Sequence, residues 1–206
     1  MSIGKSLPIL LIPVYKGGDF FSQAVDSVIP CLPWFSRVII GLDGADISDD
    51  QISTLRLARI CDLTVLQTRK SLTSARHLRF IANQYFKSLG VTSCAHVFML
   101  CHDDIMHEKG FDGLDYESWL NFRSDWVSLG DYKVFSNGAS PDLARHESWF
   151  SRYDSLCMRP QKEFTKTQYT RHDDSFANAS GMRMSLSSLS SISRYFVATG
   201  STWNAV

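Results

Sequence analysis

The chain has 206 residues, is 44% hydrophobic and 20% charged, and carries 21 basic and 21 acidic side chains for a formal net charge of zero. That composition excludes a disordered or fibrous chain, and the length suits one domain with a substantial core. The lack of a basic surplus argues against a dedicated nucleic-acid binder.

The five cysteines, Cys31, Cys61, Cys94, Cys101 and Cys157, are widely spaced and form no C-x-x-C pair. Neither a disulfide framework nor a zinc knuckle is expected, and the thiols suit a reducing, cytoplasmic setting. Lys5 precedes an apolar run over 7–15 that is too short to span a membrane and has no small-residue cleavage site. No transmembrane helix is expected; peripheral contact with the inner face of a membrane stays open.

Leu7-Pro8-Ile9-Leu10-Leu11-Ile12-Pro13-Val14-Tyr15 reads as a first strand, apolar throughout as in parallel sheets buried on both faces. Pro13 is expected to mark its end, since proline cannot continue a central ladder. Lys16-Gly17-Gly18-Asp19 forms a turn with Asp19 as N-cap. Phe20, Phe21, Ala24, Val25, Val28 and Ile29 then recur at helical spacing until Pro30 and Pro33 close the helix. Arg37-Val38-Ile39-Ile40-Gly41-Leu42-Asp43 is a second strand ending in the acidic turn Asp43-Gly44-Ala45-Asp46. A helix over 49–59 and a third strand over 63–67 follow. Leu78, Ile81, Ala82, Tyr85, Phe86 and Leu89 form the clearest helical stripe, stopped by Gly90. His96-Val97-Phe98-Met99-Leu100-Cys101-His102-Asp103-Asp104 is a fourth strand that ends abruptly in a histidine and two carboxylates. Cys101 falls within the strand pattern and reads as core.

Four strand–helix repeats with short connections imply a parallel sheet with helices on its faces. Tyr15, Asp43, Gln67 and His102 would then gather at one rim, where open α/β sheets bind ligands. The second half is less regular. Trp119, Phe122, Trp126 and Leu129 predict an amphipathic helix, and Tyr132-Lys133-Val134-Phe135-Ser136 a fifth strand. Gly181-Met182-Arg183-Met184 is a candidate return to the sheet, and Leu186, Leu189, Ile192 and Phe196 predict a last helix over 185–196. Residues 140–176 are polar, aromatic and basic; a loop that long is usually functional or mobile.

Adjacent carboxylates repel unless a cation neutralises them. Oxygen donors of this kind suit Mg²⁺ or Mn²⁺ together with substrate phosphates. Asp103-Asp104 therefore points to a metal site for a phosphate-bearing substrate, although the pair also fits a helix cap with a solvated neighbour. Other signals fall short. Gly4-Lys5-Ser6 lacks the upstream glycine of a P-loop, and Gly17-Gly18 is no dinucleotide fingerprint. His107-Glu108 and His146-Glu147 lack the second histidine of a zinc protease, and no Gly-x-Ser-x-Gly elbow occurs.

What survives is an ordered combination. Pro13 and Tyr15 end strand one, Asp43 and Asp46 follow strand two, Ser74-Ala75-Arg76-His77 opens the long helix, and His102-Asp103-Asp104 follows strand four. In this order the motifs resemble those of the inverting glycosyltransferases of family 2, well over 7–106 and loosely beyond. The resemblance implies a GT-A fold, an α/β, Rossmann-like, mostly parallel sheet flanked by helices. It implies a single domain over 1–206, with 1–106 as the nucleotide-sugar-binding half and 107–206 as the acceptor-side half. The implied activity is metal-dependent transfer of a sugar from a nucleotide-diphosphate donor to a glycan or lipid-linked acceptor with inversion, as in polysaccharide biosynthesis, with Mn²⁺ or Mg²⁺ as cofactor. By the same resemblance Tyr15 stacks on the base and Asp43 accepts hydrogen bonds from base or ribose, with Pro13 and Gly44 beside them. Arg76 faces the diphosphate, His102 and Asp104 hold the metal, and Asp103 holds the sugar or a ligand water. The aromatic stretch over 140–176 suits the acceptor side.

The chain also departs from the family. His102 stands where an acid is usual, and His77 where asparagine is common. Inversion needs a carboxylate to deprotonate the acceptor hydroxyl. The family places it beyond a segment resembling Asn178-Ala179-Ser180-Gly181, and here no acid follows Asp174. Asp173 or Asp174 is the candidate base, or the chain is truncated relative to the family; truncation is the favoured expectation. Two rival readings are a non-catalytic nucleotide-sugar-binding module, which a missing base would favour, and a sugar nucleotidyltransferase, which calls for a glycine-rich, Lys/Arg-bearing loop right after strand one that Lys16-Gly17-Gly18 is too short to supply.

Overall fold

A computed structural model of the protein describes residues 7–44, 48–72, 74–88, 95–106, 108–111, 116–121, 127–128, 132–134, 145–147, 182–186 and 189. The strands β1 (Ile9–Val14), β2 (Arg37–Leu42), β3 (Leu63–Gln67) and β4 (His96–Met99) alternate with the helices α1 (Gly18–Val28), α2 (Ser48–Ala58) and α3 (Ser74–Ser88). Then come α4 (Tyr116–Asn121), β5 (Val127–Ser128), β6 (Tyr132–Val134), β7 (Arg145–Glu147) and β8 (Met182–Ser185). Six strands form one sheet in the order β3-β2-β1-β4-β8-β5. β1 to β4 are mutually parallel, and β8 runs antiparallel to both β4 and β5. This is an α/β, Rossmann-like, mostly parallel sheet flanked by helices, as the sequence predicts.

Alternation along the strands sorts the core into two layers. Leu10, Ile12 and Val14 of β1 pack with Val38, Ile40, Leu42, Phe98 and Leu100 against Phe21, Val25 and Val28 of α1, Leu57 of α2 and Trp119 of α4. Ile9 and Leu11 pack with Ile39, Val97, Met99 and Met184 against Leu78, Ile81, Ala82 and Tyr85 of α3. Burying each large aliphatic or aromatic side chain contributes about 1.5–3 kcal/mol, so the two layers hold the sheet between its helices. Gly41 of β2 faces α3: a Cβ there would lie 2.2 Å from Ile81 Cδ1 and 2.7 Å from Ile81 Cγ1. The bare backbone is what lets α3 approach so closely.

Several details differ from expectation. Pro13 lies inside β1, opposite Gly41, rather than ending it. Pairing of β1 with β4 stops at Leu11, whose carbonyl accepts from Leu100 N–H at 3.0 Å. Pro13 shares that edge two residues on, where no ladder bond is required of it. Gly17, not Asp19, is the N-cap of α1, and Asp19 lies in its first turn, where a carboxylate complements the helix dipole. The helix closes before Pro30 as expected, at Val28, and the two prolines sit in a 3₁₀ turn over Ile29–Trp34 that follows it directly. Val127–Ser128 is a strand paired with β8, not helix. Tyr132–Val134 is extended as expected but pairs with β7 in a separate two-stranded sheet. Ser185 ends β8, while Leu186 and Leu189 are helical and buried; the rest of the helix expected over 185–196 lies outside the described residues.

The return strand carries an internal clamp. Arg183 is 1% exposed. Its guanidinium donates to the Trp119 carbonyl and sits 4.4 Å over the Trp119 ring. Burial lowers the Arg183 pKa to about 10, which leaves the side chain charged at neutral pH. Trp119 Nε1–H donates in turn to the Trp34 carbonyl at 2.9 Å. Among the described residues no helix is long and apolar enough to cross a membrane.

Candidate active site

Because β1 to β4 are parallel, their carboxyl ends share one rim. α1 and α2 cover one face and α3 the other, so the connections reverse between β1 and β4, which is the crevice where sheets of this kind take ligands. The segment after β1 forms one wall. Tyr15 is 46% exposed, and the Lys16 ammonium lies 5.5 Å from its ring centroid. Lys16 adopts a left-handed backbone, φ 49°, followed by Gly18 at φ 48°, which turns the chain sharply from β1 into α1.

The segment after β4 forms the other wall. Asp104 N–H donates to the Cys101 carbonyl at 3.1 Å, closing a turn over 101–104. The turn folds the side chains back so that one donor atom from each of Cys101, Asp103 and Asp104 lies within 4.8 Å of the others. Asp103 is exposed, and Cys101 and Asp104 are half-buried. His102, expected as a metal ligand, is half-buried in the same turn but is not one of the three. Cys101, expected as core, is. Its thiol sits at the edge of the α3-side layer, continuing the side of the strand taken by Val97 and Met99. The far end of this wall is held by Ser27 of α1, whose hydroxyl accepts from Met106 N–H at 3.0 Å and donates to the Ala24 carbonyl at 2.7 Å.

Asp43 is placed differently from expectation. It is 3% exposed, and its carboxylate is engaged within the protein. Thr68 Oγ1–H donates to Oδ1 at 2.8 Å, Leu72 N–H lies 2.9 Å from both oxygens, and the Ser71 hydroxyl lies 3.4 Å from Oδ2. Gly44 N–H donates to Thr68 Oγ1 at 2.9 Å, and Gln67 Nε2–H to the Gly44 carbonyl at 3.2 Å. Gly44 has φ 108°, a conformation costly for any residue with a side chain. Asp43 is thus the hub that moors the segment over 68–72, and with it the approach to α3. Sequence reasoning missed Thr68 and Leu72 in this role: a strand-end hydroxyl and a backbone N–H carry no pattern of their own.

Beneath this hub lies His77 of α3, 3% exposed, with no hydrogen-bond partner for Nε2 among the described residues. Burial lowers its pKa; Asp43 pulls it up, and His102 depresses it further. Arg76, one residue earlier, is exposed. Asp46, Asp173 and Asp174 lie outside the described residues.

No family model matches the chain, and no curated protein matches it. Among solved structures, a glucosyl-3-phosphoglycerate synthase from Mycobacterium tuberculosis, in complex with Mn²⁺, uridine diphosphate and glucosyl-3-phosphoglycerate, is similar with a TM-score of 0.48 and 11% identity. The match covers 88% of this chain and 57% of that one, so the chain spans little more than half the length of that enzyme. A 4-diphosphocytidyl-2C-methyl-D-erythritol synthase is similar with a TM-score of 0.40 and 9% identity, over 82% of this chain and 83% of that one.

Proposed function

We propose that the protein is a metal-dependent glycosyltransferase that moves a sugar from a nucleotide-diphosphate donor to a glycan or lipid-linked acceptor with inversion. The observation that carries this reading is the pairing, across the β1/β4 crevice, of an exposed aromatic ring and lysine with a turn that gathers two carboxylates. An aromatic face suits a base, and carboxylates suit a cation that bridges a diphosphate. The donor atoms within 4.8 Å fit one divalent ion with small side-chain adjustment. Asp103, Asp104 and Cys101 would hold it, and His102 flanks them. Such an ion supplies Lewis-acid stabilisation of the departing nucleotide diphosphate. Tyr15 stacks on the base, Lys16 and the exposed Arg76 offer positive charge to phosphate, and Asp43, with Pro13 and Gly44, shapes the floor through the loop it moors. Asp173 or Asp174 is the proposed base that takes the acceptor hydroxyl proton.

The reading is tested by incubating the protein with UDP- and GDP-sugars, Mn²⁺ and oligosaccharide or lipid-linked acceptors. Release of nucleoside diphosphate and a product of opposite anomeric configuration by NMR are expected, both lost in Asp104→Ala. Formation of a nucleotide sugar from a nucleoside triphosphate and a sugar phosphate, with release of pyrophosphate, would instead make the protein a nucleotidyltransferase.

A further inference from the structure

We propose that Cys101 supplies a sulfur ligand to the divalent cation of this site, so that the site takes Zn²⁺, Co²⁺ or Cd²⁺ in preference to Mg²⁺. The inference deepens the proposed function and rests on its reading of the β4 end as a metal site. Cys101 follows the apolar run directly and is anchored against the α3-side core, so its Sγ starts from a rigid element rather than a loop tip. The turn closed by Asp104 N–H on the Cys101 carbonyl brings both carboxylates back to it. Sulfur and oxygen donors on one tetrahedral ion, with bonds of about 2.3 Å and 2.0–2.2 Å, lie roughly 3.6 Å apart. The three donor atoms already lie within 4.8 Å of one another, so closing on one ion takes at most about 1 Å of side-chain movement, which the exposed Asp103 can supply. One sulfur and two carboxylates leave a coordination position open for water or phosphate.

A thiolate is soft and favours Zn²⁺-like ions, whereas Mg²⁺ demands a near-octahedral shell of oxygen and keeps its waters. Coordination forms an Sγ–metal bond and releases the thiol proton to solvent. The other described cysteines differ. Cys31 is buried against α1, and burial together with Glu108 pushes its thiol up to about 12. Cys61 donates to the Leu57 carbonyl at 3.3 Å and is also raised, by burial and by Asp62. Neither sits beside a pair of carboxylates that would gather an ion.

The test is titration of the full chain, without nucleotide, with Cd²⁺ and Co²⁺, following sulfur-to-metal charge-transfer absorption. One equivalent of metal is expected to produce the band. Cys101→Ser and Cys101→Ala are both expected to abolish it and to weaken Zn²⁺ binding about 10–100-fold. Mg²⁺ binding, which rests on the carboxylates, should fall less than Zn²⁺ binding, with far-ultraviolet circular dichroism confirming the fold of each variant. Absence of the band in the parent, or its persistence in both folded variants, overturns the proposal. Separate titration with UDP and GDP keeps the two readings apart. The band without nucleotide binding upholds the cysteine ligand and defeats the proposed function; nucleotide binding without the band does the reverse.

Discussion

Asp43 turns its carboxylate inward, onto Thr68 and the Leu72 N–H. In Asp43→Ala the buried Thr68 hydroxyl and the part-buried Leu72 N–H lose their acceptor, which costs about 1–3 kcal/mol. The urea midpoint should fall accordingly, with loss of any nucleotide binding as a secondary effect of a loosened segment over 68–72. Full stability combined with lost binding would instead assign Asp43 a direct contact to the ligand. His77 beneath it gives a pH signature. Burial holds the folded pKa down, while the unfolded chain takes up a proton near about 6.5. The unfolded state therefore binds more protons below that value, and stability is lost as pH falls through it, levelling off only below the depressed folded value. Urea midpoints between pH 8 and 5 should show this slope in the parent and a shallower one in His77→Gln; equal slopes would show that His77 does not contribute. The sequence marked Asp43 and His77 by position, but their burial depends on the partners Thr68 and Gly41, which no spacing reveals.

Among elements, the α3 stripe was readable because Leu78, Ile81, Ala82 and Tyr85 all reach one buried layer. The strands were readable because parallel strands covered on both faces are apolar throughout. The region after α4 was not. Trp119 is buried and suggested a long amphipathic helix, yet pairing with β8 draws Val127–Ser128 into the sheet edge. Arg183 gave no signal either; a charge in a strand reads as solvent-facing until a Trp119 ring and carbonyl are found opposite it. The α3–β2 contact makes its own test. Gly41→Ala would drive a methyl group into Ile81 Cγ1, a branch held by the helix rather than a free end. Overpacking of this kind costs about 1–3 kcal/mol. A lower thermal midpoint is expected, partly restored by Ile81→Val; an unchanged midpoint would mean that α3 shifts without cost.

At the scale of the molecule, one reversal of connection direction sets the site. Two crossover helices on one face and one on the other leave the β1/β4 crevice open at the carboxyl rim, flanked by Tyr15 and Lys16 on one side and the turn over 101–104 on the other. The antiparallel β8 then extends the sheet beyond β4 without covering that rim from a fifth parallel strand. The proposed metal ligands were half-visible in the sequence: the acids were named, but that Cys101 rather than His102 lies beside them depends on how the turn closes. Calorimetric titration of the full chain with UDP and GDP, with and without Mn²⁺, tests the central claim most directly. Binding of one nucleoside diphosphate that requires the metal and disappears in a folded Asp104→Ala variant is expected; no metal-dependent binding of either would contradict it.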